Sequence, residues 1–115
     1  MGKRILIVED EALIAFEVEE TLLESGYDVV SIAATRDNAL ACLAGETPDG
    51  AILDANLDGQ SAQPVAERLA QLGVPYMIMS GYSLEQIGPW AEGVTLLSKP
   101  FRHAELMAKV DELMQ

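Results

Sequence analysis

The sequence predicts an α/β domain in which a parallel sheet carries helices on both faces. Three observations predict it. Short apolar runs of strand length alternate with longer stretches whose apolar residues recur every three or four positions. Turn formers mark the junctions, as at Gly26, Gly45, Pro48-Asp49-Gly50 and Gly73. Some of the runs are apolar at every position, the pattern of strands buried on both faces. The 115 residues leave room for one such domain.

Ile5-Leu6-Ile7-Val8 is the first strand. Residues 11–25 predict a helix that turns Ile14, Val18 and Leu22 inward and stops at Gly26. Residues 27–33 (YDVVSIA) form the second strand, and Thr35 caps a helix with Ala39, Leu40 and Leu43 inside, ending at Gly45. Ala51-Ile52-Leu53 is the third strand. Pro64 suits the first turn of a helix through Val65, Leu69 and Leu72, stopped by Gly73. Pro75 leads into the fourth strand, Tyr76-Met77-Ile78-Met79. Residues 81–93 hold Gly81, Gly88, Pro89 and Gly93, so any helix there has one or two turns. Val94 to Leu97 is the fifth strand, and residues 101–114 the last helix, with Leu106, Val110 and Leu113 as its buried stripe. No linker or repeat interrupts this order.

Half the residues are hydrophobic and 23% charged, which argues against disorder. Seven basic residues against 19 acidic leave a net charge of −12. Such a surface repels nucleic acid and anionic lipid and suits a cation or a basic protein face. The single cysteine, Cys42, has no internal partner, as expected in a reducing compartment. No apolar run approaches a membrane span, and the start is too short for a signal peptide. A cytoplasmic location is expected.

In open α/β sheets, ligands bind beyond the carboxyl ends of the strands. Glu9, Asp10 and Glu11 follow the first strand, and Asp54 ends the third with Asn56 just beyond. Ser80-Gly81-Tyr82 follows the fourth and Ser98-Lys99-Pro100-Phe101 the fifth. Converging carboxylates raise one another's pKa unless a cation sits among them. An all-oxygen set of this kind suits Mg²⁺, which shares its positions with water and phosphate. With Lys99 as a fixed positive charge and Ser80 as a hydroxyl donor, the group makes a plausible phosphoryl-transfer site.

The set VED (8–10), LDANLDG (53–59), SGY (80–82) and KPF (99–101) resembles the receiver domain of two-component response regulators. Each motif alone is weak, but all four stand in order over essentially the whole chain. The resemblance implies a flavodoxin-like, doubly wound five-stranded sheet in the order 2-1-3-4-5, with a short fourth helix. It implies that Asp54 accepts a phosphoryl group from a phosphohistidine, and that the domain promotes its own phosphorylation and dephosphorylation without acting on a metabolite. Asp10 and Asp54 would bind Mg²⁺ directly, Glu9 through water, and Asn56 through its backbone carbonyl. Lys99 would pair with phosphoryl oxygens after a cis Lys99–Pro100 bond, and Ser80 would swing toward the modified Asp54. A sensor histidine kinase or histidine phosphotransfer protein would donate, meeting the start of the first helix at Leu13, Phe16 and Glu17.

Two departures stand out. Many receivers carry an aromatic switch residue where this chain has Leu96; here the aromatic is Tyr82, behind the fourth strand. With the PYMIMSGY run, this resembles the subgroup named for its Phe-Ala-Thr-Gly-aromatic-Tyr-like signature, often found as single-domain regulators. The match is partial, because Met79-Ser80 stands where that signature has Ala-Thr. Nothing follows the last helix, so a single domain over 1–115 is expected, without an output domain and acting through a separate protein target. The rivals are a phosphorylation-independent interaction module on the same fold, a small Mg²⁺-dependent phosphohydrolase, and an FMN binder. The phosphohydrolase would need a cap for which there is no room, and the FMN binder would need hydroxyls and glycines in place of Glu9-Asp10-Glu11. His103 reads as an exposed polar residue, Cys42, Met77 and Met79 as core, and Trp90 as local packing.

Overall fold

The structure, a computed structural model, describes residues 2–115. Its elements are β1 (Arg4–Val8), α1 (Ala12–Glu24), β2 (Asp28–Ala33), α2 (Arg36–Gly45), β3 (Gly50–Asp54), β4 (Asn56–Leu57) and β5 (Gln60–Ser61). There follow α3 (Gln63–Gln71), β6 (Tyr76–Ser80), α4 (Leu84–Ile87), a 3-10 turn (Pro89–Ala91), β7 (Thr95–Ser98) and α5 (His103–Leu113). The main sheet is parallel throughout, in the order β2-β1-β3-β6-β7. This is the flavodoxin-like order expected from the sequence. The chain leaves β1 for β2 and then crosses back to β3, which puts the switch point between β1 and β3.

Successive strand residues point to opposite faces, so each run feeds two cores. Ile5, Ile7, Ile52, Met77 and Met79 pack under α1 and α5 with Val18, Leu22, Leu106 and Val110. Leu6, Val8 and Leu53 pack under α2 and α3 with Leu43, Val65 and Leu69. A third, thinner cluster lies beneath residues 84–96, where only Ala55, Ile78 and Ala91 are buried. Among the described residues no helix is long and apolar enough to cross a membrane.

Most element expectations hold within a residue or two. Thr35 caps α2 by accepting Asn38 N–H, and Gly26 and Gly73 end α1 and α3 with positive φ. Some details differ. Ala15 rather than Ile14 joins Val18 and Leu22 in the fully buried stripe of α1. Leu113 is half-buried, and Met114 takes the inner position because Gly50 leaves a notch for it. A Cβ on Gly50 would lie 2.5 Å from the Met114 sulfur. Cys42 is half-buried at the margin of the α2/α3 core rather than inside it. The β4–β5 hairpin was not anticipated.

Candidate functional site

The site begins with β1. Val8 is fully buried, and Glu9 continues its direction, donating its N–H to the Ala33 carbonyl at 3.0 Å. The carboxylate therefore stays inside, with Glu9 only 1% exposed. Asp10 turns outward and is half-buried. Asp54 closes β3, next to β1 in the sheet, and is buried with an edge to solvent. Oxygens of Glu9, Asp10 and Asp54 lie within 4.8 Å of one another. The sequence predicted this convergence, and the strand order produces it.

Lys99 reaches the acids from β7. Its N–H extends the β6–β7 ladder, donating to the Ser80 carbonyl at 2.9 Å, and the Lys99–Pro100 peptide is cis. The ammonium donates to Glu9 Oε1 at 2.6 Å and to Asp54 Oδ2 at 3.1 Å. Burial pushes the Glu9 carboxyl up to about 7, opposed by Lys99 and the Glu11 N–H and reinforced by neighbouring Asp54. Burial pulls Lys99 down, but its bonds to the two acids outweigh this and leave it above the ordinary lysine value. Lys99 is thus committed to Glu9 and Asp54, whereas Asp10 has no cation beside it among the described residues.

The three carboxylates face one ammonium, an excess of negative charge that a divalent ion would balance. The donors are all hard oxygens, converging at one open edge, and they fit Mg²⁺. The cleft above them is lined by Asp10, Asp54, Asn56, Ser80, Tyr82 and Lys99 among others. Ser80 is buried, and its Oγ accepts the Tyr82 N–H at 3.0 Å, which links the hydroxyl to the next segment's backbone. The Tyr82 ring is 56% exposed.

Asp58 was missed, and Asn56, expected through its carbonyl, also acts through its N–H. Asp58 N–H donates to Asp10 Oδ2 at 3.0 Å, and Asn56 N–H to Asp54 Oδ1 at 3.2 Å. Both donors belong to the β4–β5 hairpin, whose Asp58-Gly59 turn is a recognisable hairpin signal. Of the remaining expectations, Leu13, Phe16 and Glu17 lie exposed on α1 and His103 is exposed, while Trp90 packs locally, half-buried. Leu96 is half-buried on β7 over the thin third cluster.

Comparison with known proteins gives the family. The model of the response regulator receiver domain matches residues 5–111. The chain is 32% identical to the phyllosphere-induced regulator PhyR of Methylorubrum extorquens, over 99% of this chain and 44% of that protein. It is 34% identical to SdrG from Sphingomonas melonis Fr1, whose solution structure superposes with a TM-score of 0.86 over 99% of this chain and 98% of that one. A CheY-like receiver domain protein from Methanospirillum hungatei is 28% identical, with a TM-score of 0.89, over 99% of this chain and 94% of that one. The chain spans about half the length of the curated relatives it matches. The order of the strands, the acids at their ends and the family match over nearly the whole length lead to one conclusion: the chain belongs to the receiver domains of two-component response regulators.

Proposed function

We propose that the domain is a Mg²⁺-dependent aspartyl phosphoacceptor, with Asp54 taking a phosphoryl group from a phosphohistidine. The observation that carries the reading is Asp54 itself, placed at the cleft between two acids and Lys99. A carboxylate oxygen of Asp54 attacks phosphorus, the P–N bond to the donor imidazole breaks, and the nitrogen leaves with the electron pair. Asn56 N–H holds one Asp54 oxygen and Lys99 the other, which fixes the nucleophile's orientation. Glu9 through water, Asp10, Asp54 and the carbonyl of Asn56 would hold Mg²⁺, which when bound supplies neutralising charge for the phosphoryl oxygens. Lys99 then has an incoming anion to pair with, and Ser80 a hydroxyl to offer it.

Signalling follows from the Ser80–Tyr82 link, with Ser80 and Tyr82 as the switch, as in the Phe-Ala-Thr-Gly-aromatic-Tyr subgroup. The donor, a sensor histidine kinase or histidine phosphotransfer protein, meets α1, where Leu13 is 84% and Phe16 57% exposed beside Glu17. No metabolite is turned over, and the output is contact with a downstream protein in the cytoplasm. A stand-alone role is supported by SdrG, nearly all of which the chain spans.

Intact mass after exposure to acetyl phosphate and Mg²⁺ tests the reading. Wild type gains one phosphoryl mass, and Asp54→Asn, which keeps the shape and removes the attacking charge, gains none. No gain in wild type returns the chain to a phosphorylation-independent interaction module. Labelling retained in the variant moves the acceptor elsewhere.

A further inference from the structure

We propose that the β4–β5 hairpin is a spacing template for the acid site. In this inference, which rests on the Mg²⁺ reading above, Asp58 and Gly59 are positioning residues. Their turn aims Asp10 and so sets how tightly the site holds a divalent cation.

Four observations converge on this. First, the hairpin touches both outer acids, with Asn56 N–H on Asp54 Oδ1 and Asp58 N–H on Asp10 Oδ2. Lys99 holds Glu9 and Asp54 but not Asp10, so the turn is what orients the remaining carboxylate. Second, the turn is strained in a specific way. Asp58 has φ +50° and Gly59 φ +85°, both left-handed as in a type I′ turn, and Asp58 is the one non-glycine with positive φ among the described residues. Third, this geometry frees two N–H groups from the two-residue ladder. Asp58 N–H goes to Asp10, and Gly59 N–H goes to the Asn56 side chain at 2.8 Å, which locks the turn. Fourth, the hairpin is rooted. Leu57 is 2% exposed in the α2/α3 core, and Ala62 N–H closes the base on the Ala55 carbonyl at 3.0 Å. The root therefore fixes the tip, and the tip fixes Asp10.

Gly59 offers a clean test, because a Cβ there would meet nothing within 4 Å. A substitution therefore acts first through backbone conformation. Because Gly59 lines the cleft, valine is compared with the similarly sized asparagine, so that occupancy of the cleft is matched. Gly59→Val places a β-branched residue where only glycine and, less readily, asparagine sit comfortably. Calorimetric titration with Mg²⁺ should show its affinity weakened about five- to tenfold. Gly59→Asn should stay within about twofold of wild type, since asparagine tolerates positive φ. Asp58→Gly keeps the N–H and eases the turn, and should bind Mg²⁺ at least as well as wild type. Thermal midpoints in EDTA separate positioning from general damage: on this proposal the Gly59→Val deficit in Mg²⁺ affinity exceeds what its EDTA stability alone would produce. Wild-type affinity in Gly59→Val overturns the template, as does an equal loss in Gly59→Asn. If Gly59→Val does not fold, Gly59→Ala against Gly59→Asn decides by the same criterion. A wild type that binds no Mg²⁺ breaks the underlying metal reading instead, so the two failures are distinct.

Discussion

The two loops that border the cleft are built in opposite ways. On one side the β4–β5 hairpin roots Leu57 in the core and uses its free N–H groups on Asp10, Asp54 and Asn56. On the other, residues 81–93 place no buried side chain in α4 and rest on a cluster whose buried members are Ala55, Ile78 and Ala91. Chemistry needs fixed distances, and a readout needs a segment that small energies can move. The firmly rooted side is the one proposed to bind, and the thinly packed side the one proposed to report.

Core truncation sharpens this contrast most. Leu57→Ala removes a buried anchor and should cost about 2–5 kcal/mol in urea unfolding. Leu84→Ala, in the half-buried α4, should cost well under half of that. Equal costs would erase the distinction.

The next effect in size concerns pH at the rigid side. Glu9 is raised to about 7 in the fold from an ordinary 4.5, so between these values the folded state binds the proton more tightly. That contribution is fully present below about 4.5 and is lost as pH rises through 7. In EDTA the melting temperature should therefore fall across this range, by up to roughly ten degrees. Millimolar Mg²⁺ should flatten the slope, and Glu9→Gln should remove it. A pH-independent midpoint in EDTA would show Glu9 ionised throughout.

The smallest effect is local. Phosphorylation of Asp54 should change amide exchange in residues 81–93 and the fluorescence of Trp90, both lost in Ser80→Ala. Tyr82→Ala should leave phosphorylation intact and weaken partner binding. Changes confined to Leu96 and α5 would place the switch there and not at Tyr82.

Nearly all of the fold was legible, because both signals behind it are local: continuous apolar runs for two-sided strands, and turn formers between them. The acids were legible because strand ends in this architecture meet at one edge. The hairpin was not seen, although Asp58-Gly59 carries its own turn signal. Two-residue strands have no periodicity to detect, and the bond from Asp58 to Asp10 spans 48 positions. The Ser83–Gln86 capping box that starts α4 was likewise written in the sequence but masked by the glycines around it. The burial of Glu9 followed from neither composition nor spacing. It follows from strand order, which leaves the residue after Val8 between two neighbours.

The notch at Gly50 has a mechanical consequence. Met114 seats in it, and the Lys3 ammonium holds the Met114 carbonyl at 2.6 Å, so α5 is pinned at its far end. Its near end begins four residues after Lys99, beside the acid site. With 11 residues, α5 is about 16 Å long, and Leu106 and Val110 hold it to the sheet between these ends. A helix latched at one end and packed along its length is a poor moving part, in keeping with the switch proposed for residues 81–93.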